Sequence, residues 1–94
     1  MNRNTMYDCL FAKGIKTSRQ YIGRGYHIIF NIEPNQECDI VFDWGYIRGV
    51  QSIRLFTNEC VIESRWEDMK VNVYYKDIDK FEVRLYEEQE SKPL

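Results

Sequence analysis

Two runs of alternating apolar and polar residues, joined by a short polar segment, constrain the fold of this chain more than any other feature. The segment between the runs contains Pro34 and Asn35, which favour a turn. Strict alternation is typical of strands with one buried face. We therefore predict a β-hairpin over residues 26–44, with Ile32 opposite Cys38 and an aromatic-rich ladder on its buried face. The residues predicted to share that face are Tyr26, Ile28, Phe30, Ile32, Cys38, Ile40, Phe42 and Trp44.

A short helix is predicted at the N-terminus. A capping residue at Asn4 or Thr5 precedes four positions that recur at helical spacing, Met6, Cys9, Leu10 and Lys13. Gly14 then offers a stop. A helix of two to three turns is too short to stand alone in water, so we expect its apolar stripe to pack on a sheet.

The second half of the chain predicts a meander of hairpins. Alternating segments over 51–57, 60–66 and 69–76 are separated by short turns, and a fourth over 81–85 returns beside the third. The predicted registers place Leu55 opposite Ile62, Arg54 opposite Glu63, Ile62 opposite Val73, and Val73 opposite Val83.

The predicted fold class is α+β and mainly β. A short N-terminal helix is followed by about six antiparallel strands, which form a bent meander sheet or a small barrel. We predict a single globular domain over residues 1–86 and a polar C-terminal tail over 87–94.

Length and composition favour one core. The chain has 94 residues, of which 44% are hydrophobic, and this supports a single domain. Its three cysteines are odd in number and far apart, which fits neither a disulfide framework nor a zinc site. No apolar run reaches the roughly 18–20 residues of a membrane helix, and no secretory signal is recognisable. We expect a cytoplasmic protein that does not enter a membrane.

The sequence contains no specific motif for catalysis, for a metal ion or for a nucleotide. His27 is the single histidine, and the predicted hairpin places it opposite Asp43, where the carboxylate would orient the imidazole. A nucleophile is missing because Cys38 falls on the opposite face, so a polar cross-strand pair is the simpler interpretation. We expect a non-enzymatic protein with no cofactor and no metal.

The outward residues of the meander predict a protein-binding surface. In the predicted registers Phe56, Val61 and Tyr74 form one apolar patch, provided that neither the helix nor a second sheet covers it. Aromatic patches ringed by charge are typical of protein interfaces. We predict a protein-binding module with a host protein as its target, acting as a monomer or a homodimer. The charged and aromatic residues around the patch are Arg54, Glu63, Arg65, Glu82 and Tyr86.

The size and charge of the chain suggest which class of protein-binding module it belongs to. The chain is small and its net charge is −2. By size and composition it is analogous to the proteins with which phages and mobile elements inhibit host defence, including anti-CRISPR inhibitors. Such proteins can offer carboxylates where a target expects phosphates. The residues predicted to contribute are Glu82, Glu87, Glu88 and Glu90.

A basic stretch over residues 13–27 predicts an alternative function. Residues 1–30 carry five basic side chains against one acidic side chain. Cations neutralise phosphates and tyrosine rings stack on bases, so the stretch predicts a small-barrel protein that binds nucleic acid or a nucleotide. A solvated edge strand over 15–22, followed by a glycine turn, would explain the same residues without a ligand. The candidate residues are Lys13, Lys16, Arg19, Tyr21, Arg24 and Tyr26.

Overall fold

The described part of the chain folds into one α-helix and eight antiparallel strands. The computed structural model describes residues 1–23, 25–66 and 69–87, with the backbone alone at positions 22, 26 and 87. In chain order the elements are α1 (Arg3–Ala12), β1 (Lys16–Ile22), β2 (Gly25–Asn31), β3 (Gln36–Phe42), β4 (Gly45–Ile47), β5 (Val50–Leu55), β6 (Glu59–Ser64), β7 (Met69–Tyr74), a 3₁₀ turn (Tyr75–Asp77) and β8 (Phe81–Glu87).

The strands form two open sheets that share one core. The five-stranded sheet has the order β1-β2-β5-β6-β7, and the three-stranded sheet has the order β4-β3-β8. The fold is therefore mainly β with an N-terminal helix, as predicted, and neither sheet closes into a barrel. The buried residues that the two sheets contribute to the shared core include Ile28, Phe30, Ile53, Leu55, Cys60, Ile62 and Val73 from the first, and Cys38, Ile40, Phe42, Ile47 and Val83 from the second.

The helix packs on this core. Its N-cap is Asn2, whose side chain accepts a hydrogen bond from the Thr5 amide at 2.8 Å, so the helix begins slightly earlier than predicted. Met6 and Leu10 are fully buried among the residues of both sheets. Gly14 follows the helix with a φ of +76°, a left-handed conformation that glycine adopts without a steric penalty.

The predicted hairpin over residues 26–44 is wrong, and so is the predicted burial of Trp44, whereas the six residues of its predicted buried face from Ile28 to Phe42 are buried. The side chain of Tyr26 lies outside the described residues. β2 pairs with β1 and β5, whereas β3 pairs with β4 and β8 in the other sheet. The connection between β2 and β3 crosses from one sheet to the other, and Arg65 donates hydrogen bonds at 3.4 Å to its carbonyl groups. Trp44 lies beyond the end of β3, where it stacks on Phe42 and keeps 53% of its surface exposed. Both inner faces of a two-layer fold show the same alternation as the inner face of a hairpin.

The registers of the meander are displaced by two residues from the prediction. Leu55 lies opposite Cys60, and Ile62 lies opposite Ile53 and Val71. The turn between β5 and β6 begins one residue earlier than predicted, because Glu59 already belongs to β6. A displacement by two keeps every side chain on its predicted face, since side chains alternate with a period of two.

The last strand also has a different partner from the one predicted. After β7 the 3₁₀ turn and the buried Ile78 redirect the chain to the other sheet, where Val83 lies opposite Ile40. β8 includes position 87, and the rest of the predicted tail, 88–94, lies outside the described residues. β1 is an edge strand of the five-stranded sheet, as predicted for residues 15–22.

Candidate binding surfaces

The outer face of the five-stranded sheet carries most of the predicted protein-binding residues. Arg54 and Phe56 at the end of β5, Val61 and Glu63 on β6, and Tyr74 on β7 alternate with core residues and therefore share this face. Tyr74 is 51% exposed, and the other four are half-buried. The buried residues of α1 enter the core between the sheets, so the described part of the helix does not bury Tyr74.

The arrangement within this face differs from the prediction. Val61 lies between Arg54 and Asn72 rather than between Phe56 and Tyr74. Tyr74 instead lies opposite Glu59, whose carbonyl accepts a hydrogen bond from the Phe56 amide at 2.8 Å. The two aromatic residues therefore flank a carboxylate, and Val61 belongs to the neighbouring row of side chains.

Ile29 is a member of this face that the sequence reasoning missed. It lies opposite Arg54 across the β2–β5 pair and is half-buried. Its signal in the sequence was weak, because the residue sits next to Ile28 and Phe30 within an apolar run. With Ile29, apolar side chains extend over four adjacent strands of the outer face, β2, β5, β6 and β7.

His27 belongs to the same face but not to the predicted pair. Its partner across the strands is Gln20, with 2.9 Å between Nε2 of the imidazole and Oε1 of the amide. The imidazole is only 2% exposed, and it packs edge-on against Phe56 with 4.9 Å between ring centroids. Asp43 lies beyond β3 and accepts a hydrogen bond from the Asp79 amide at 3.4 Å. The predicted pairing of His27 with Asp43 is therefore wrong, because β2 and β3 belong to different sheets.

Two predicted interface residues lie on the other sheet. Glu82 and Tyr86 alternate with core residues of β8, opposite Val41 and Glu37, and therefore face away from the outer face of the five-stranded sheet. Glu82 forms an exposed ion pair with Arg84 at 3.2 Å, a type of contact that contributes little stability. The side chains of the remaining predicted phosphate mimics at 87, 88 and 90 lie outside the described residues.

Arg65, which was predicted to border the apolar patch, instead binds the connection between the two sheets. Its guanidinium donates to the carbonyl groups of Ile32, Glu33, Pro34 and Gln36, each at 3.4 Å. Such a role is invisible in the sequence, because these acceptors lie about thirty residues away and belong to the backbone.

The structure distributes the basic stretch over several surfaces. Lys13 caps the C-terminus of α1, and Lys16 lies on β1 on the opposite face from Arg19 and Tyr21. Tyr21 is 77% exposed. Arg24 and the side chain of Tyr26 lie outside the described residues.

A cavity of about 440 Å³ lies where the start of α1 meets the β5–β6 turn and the end of β7. Sequence reasoning missed it, because its walls come from three distant parts of the chain. A second concavity of about 410 Å³ adjoins it and shares Thr57, Asn58 and Tyr74 with it. Phe56 and Glu59 line the second concavity, which therefore connects the cavity with the outer face of the five-stranded sheet.

The cysteines and acidic residues do not assemble a reactive or metal-binding centre in the described ranges. Burial raises the pKa of the Cys38 and Cys60 thiols from 9.0 to about 12, so both stay protonated near neutral pH. Within the described residues, no three histidine, cysteine or acidic side chains lie close enough to hold a metal ion. No helix in the same ranges is long and apolar enough to cross a membrane.

Comparisons with models of known protein families, with curated proteins and with solved structures found no match to this chain.

Proposed function

We propose that this chain is a non-enzymatic protein-binding module whose interface is the outer face of the five-stranded sheet. The observation that supports the proposal is the position of Phe56, Val61 and Tyr74 on this one face, beside the charged residues Arg54 and Glu63. Half-exposed aromatic and aliphatic groups next to charges of both signs resemble the core and rim of protein interfaces.

Tyr74 is the residue expected to contribute most to affinity. It is the most exposed of the three apolar residues, and tyrosine offers a large contact area together with a hydroxyl group. Phe56 supports the face from within, because its ring packs against the buried His27. Substitution of Phe56 would therefore mix a binding effect with a folding effect, and Tyr74 is the cleaner position for a test.

A narrower proposal concerns the partner. From the small size and acidic composition of the chain we propose that its partner is a host defence protein. In this proposal the chain is encoded by a phage or another mobile element and inhibits that protein. This proposal is supported by the analogy in size and composition with small inhibitors of host defence. It can be tested by adding the purified chain to the identified partner and measuring whether the activity of the partner falls.

The interface can be tested with two tyrosines of equal exposure on different sheets. Tyr74 is 51% exposed on the five-stranded sheet, and Tyr86 is 50% exposed on the three-stranded sheet. Tagged wild-type chain is used to capture partners from a lysate at low and high salt, with and without nuclease. The captured partner is then purified, and its affinity for wild type, Tyr74→Asp and Tyr86→Asp is measured by calorimetry.

The expected result is that Tyr74→Asp weakens binding by about a hundredfold, or about 2.7 kcal/mol, whereas Tyr86→Asp leaves it unchanged. The reverse pattern would move the interface to the three-stranded sheet. If the partner binds all three proteins equally, the proposed surface is wrong. Circular dichroism of both variants verifies that each one still folds.

A second function is favoured by one observation on β1. Arg19 and Tyr21 are both exposed and lie two residues apart, so they share one face of an edge strand. On that face the guanidinium could contact a phosphate of a nucleic acid while the tyrosine ring stacks on a base. Affinity for single-stranded nucleic acid that falls steeply with salt, and that Arg19→Glu and Tyr21→Ala both weaken, would support this alternative.

A further inference from the structure

The cavity at the start of α1 brings together cationic groups that are far apart in the sequence. It is lined by residues at the start of the chain, by the β5–β6 turn and by the segment where β7 passes into the 3₁₀ turn. The described residues that line it are Met1, Asn2, Arg3, Thr57, Asn58, Tyr74, Tyr75 and Lys76.

Two cationic side chains, Arg3 and Lys76, belong to the described lining of this cavity. The backbone nitrogen of Met1 donates to the Ile78 carbonyl at 3.3 Å. The Arg3 side chain is half-buried, and Nζ of Lys76 lies 5.7 Å from the centroid of the Tyr74 ring. None of the lining residues that the structure describes carries a carboxylate. A concave surface lined by charges of one sign focuses the electrostatic potential and attracts a ligand of the opposite sign.

The charged side chains of the cavity, rather than the N-terminus of α1, are the groups expected to attract an anion. Asn2 already satisfies the Thr5 amide in the first turn of α1. The guanidinium of Arg3 and the ammonium of Lys76 differ in geometry, because a guanidinium can contact two oxygens of one anion whereas an ammonium acts as a point charge.

The neutral part of the lining suits an organic group. The hydroxyl of Tyr75 is engaged, since it donates to the Phe56 carbonyl at 2.6 Å. Tyr74 leaves half of its surface exposed, and the Asn58 side chain is exposed beside it. A volume of about 440 Å³ also falls within the range of cavities that hold small molecules.

We propose that this cavity binds a small phosphate monoester. Arg3 and Lys76 contact the phosphate group, and the organic part lies against the exposed side of Tyr74. The site shares Tyr74 with the proposed protein-binding face, but neither of its cations belongs to the outer face of the five-stranded sheet.

The test is a titration of isotopically labelled full-length chain, followed by amide chemical shifts. The probes are inorganic phosphate, phenyl phosphate and phenol. We expect phenyl phosphate to bind more tightly than inorganic phosphate, because its ring gains a contact with Tyr74, and we expect phenol to bind weakly. The amides that shift should be those around residues 2–3, 57–58 and 74–76.

Two charge-reversal variants and a matched control identify the contacts. Arg3→Glu and Lys76→Glu should each lower the affinity for phenyl phosphate by about tenfold or more. Lys80→Glu makes the same change of charge at an exposed lysine that does not line the cavity, and it should alter the affinity by less than about twofold. A glutamate in the first turn is also favourable for a helix, so Arg3→Glu should fold.

Three outcomes would overturn the proposal. The first is that neither phosphate probe shifts any amide up to its solubility limit. The second is that Lys80→Glu weakens binding as much as Lys76→Glu does, which would indicate attraction to the general surface charge. The third is that phenol binds as tightly as phenyl phosphate, which would make the cavity an apolar groove.

Discussion

Gly49 packs directly beneath the indole ring of Trp66. A Cβ atom at position 49 would lie 2.6 Å from Cδ2 of Trp66, a distance that requires a displacement of the ring. The φ angle of Gly49 is +61°, which residues with a side chain rarely adopt. The Arg65 amide also donates to the Gly49 carbonyl at 2.8 Å, so the contact fixes the β4–β5 connection against the end of β6.

We therefore predict that Gly49→Ala lowers the free energy of unfolding by about 2–4 kcal/mol, from left-handed strain and from the clash with Trp66. Gly14→Ala is the matched control, because Gly14 has a φ of +76° but nothing within 4 Å of its Cβ position, and it should cost about 1 kcal/mol. Urea unfolding measures both. In a Trp66→Ala background the cost of Gly49→Ala should fall to that of the control, and an undiminished cost would contradict the clash.

For most strands the sequence correctly predicted which face is buried, because alternation of apolar and polar residues indicates the buried face. Ile28, Phe30, Cys38 and Ile40 are buried as predicted. Alternation does not report which strand lies alongside, since any antiparallel neighbour in the same core satisfies the pattern. The registers of the meander were displaced for the same reason, because a displacement by two residues leaves every face unchanged.

The partners of β3 and β8 depend on contacts that a local pattern does not contain. Arg65 satisfies the carbonyl groups of the connection between the sheets, and the 3₁₀ turn at Tyr75–Asp77 directs β8 away from β7. The same limit applies to the candidate sites. The face that carries Phe56 and Tyr74 could be predicted from alternation, whereas the cationic cavity is formed by residues that only the complete fold brings together.

The contacts of Arg65 lead to a second prediction. Arg65→Gln removes three hydrogen bonds to the connection between β2 and β3 and one to Gln36 at the start of β3, and it should lower the free energy of unfolding by about 1–2 kcal/mol. Hydrogen exchange should increase at the amides of Glu33 and Gln36, which are hydrogen-bonded to each other's side chain or backbone. Arg84→Gln, which removes an exposed arginine paired with Glu82, should leave both measurements unchanged. Equal behaviour of the two variants would show that Arg65 does not hold the connection.

The buried thiols predict how stability depends on alkaline pH. Burial raises the pKa of Cys38 and Cys60 from 9.0 to about 12, so the unfolded chain loses these protons first as the pH rises. Deprotonation then favours the unfolded state, and the stability that is present below about pH 9 is lost progressively towards pH 12.

We expect each thiol to account for about 1 kcal/mol of lost stability near pH 10, measured as the difference between urea unfolding near pH 7 and near pH 10. The double variant Cys38→Ala/Cys60→Ala should lose correspondingly less over the same interval. Iodoacetamide near pH 8 should modify the half-buried Cys9 first in the folded chain. Rapid modification of Cys38 or Cys60 under native conditions would contradict their protected state.

The hydroxyl of Tyr75 provides a last prediction, because it connects the β5–β6 turn with the segment after β7. It donates to the Phe56 carbonyl at 2.6 Å, and the Tyr75 amide donates to the Asn58 carbonyl at 3.2 Å. Tyr75→Phe keeps the buried ring but leaves the Phe56 carbonyl without this donor, so the free energy of unfolding should fall by about 1–2 kcal/mol. Tyr74→Phe removes a hydroxyl from the adjacent half-exposed tyrosine and should have little effect on urea unfolding. If the two variants are equally stable, the Tyr75 hydroxyl does not hold the turn, and the wall that Thr57 and Asn58 give to the cavity must be fixed by the backbone alone.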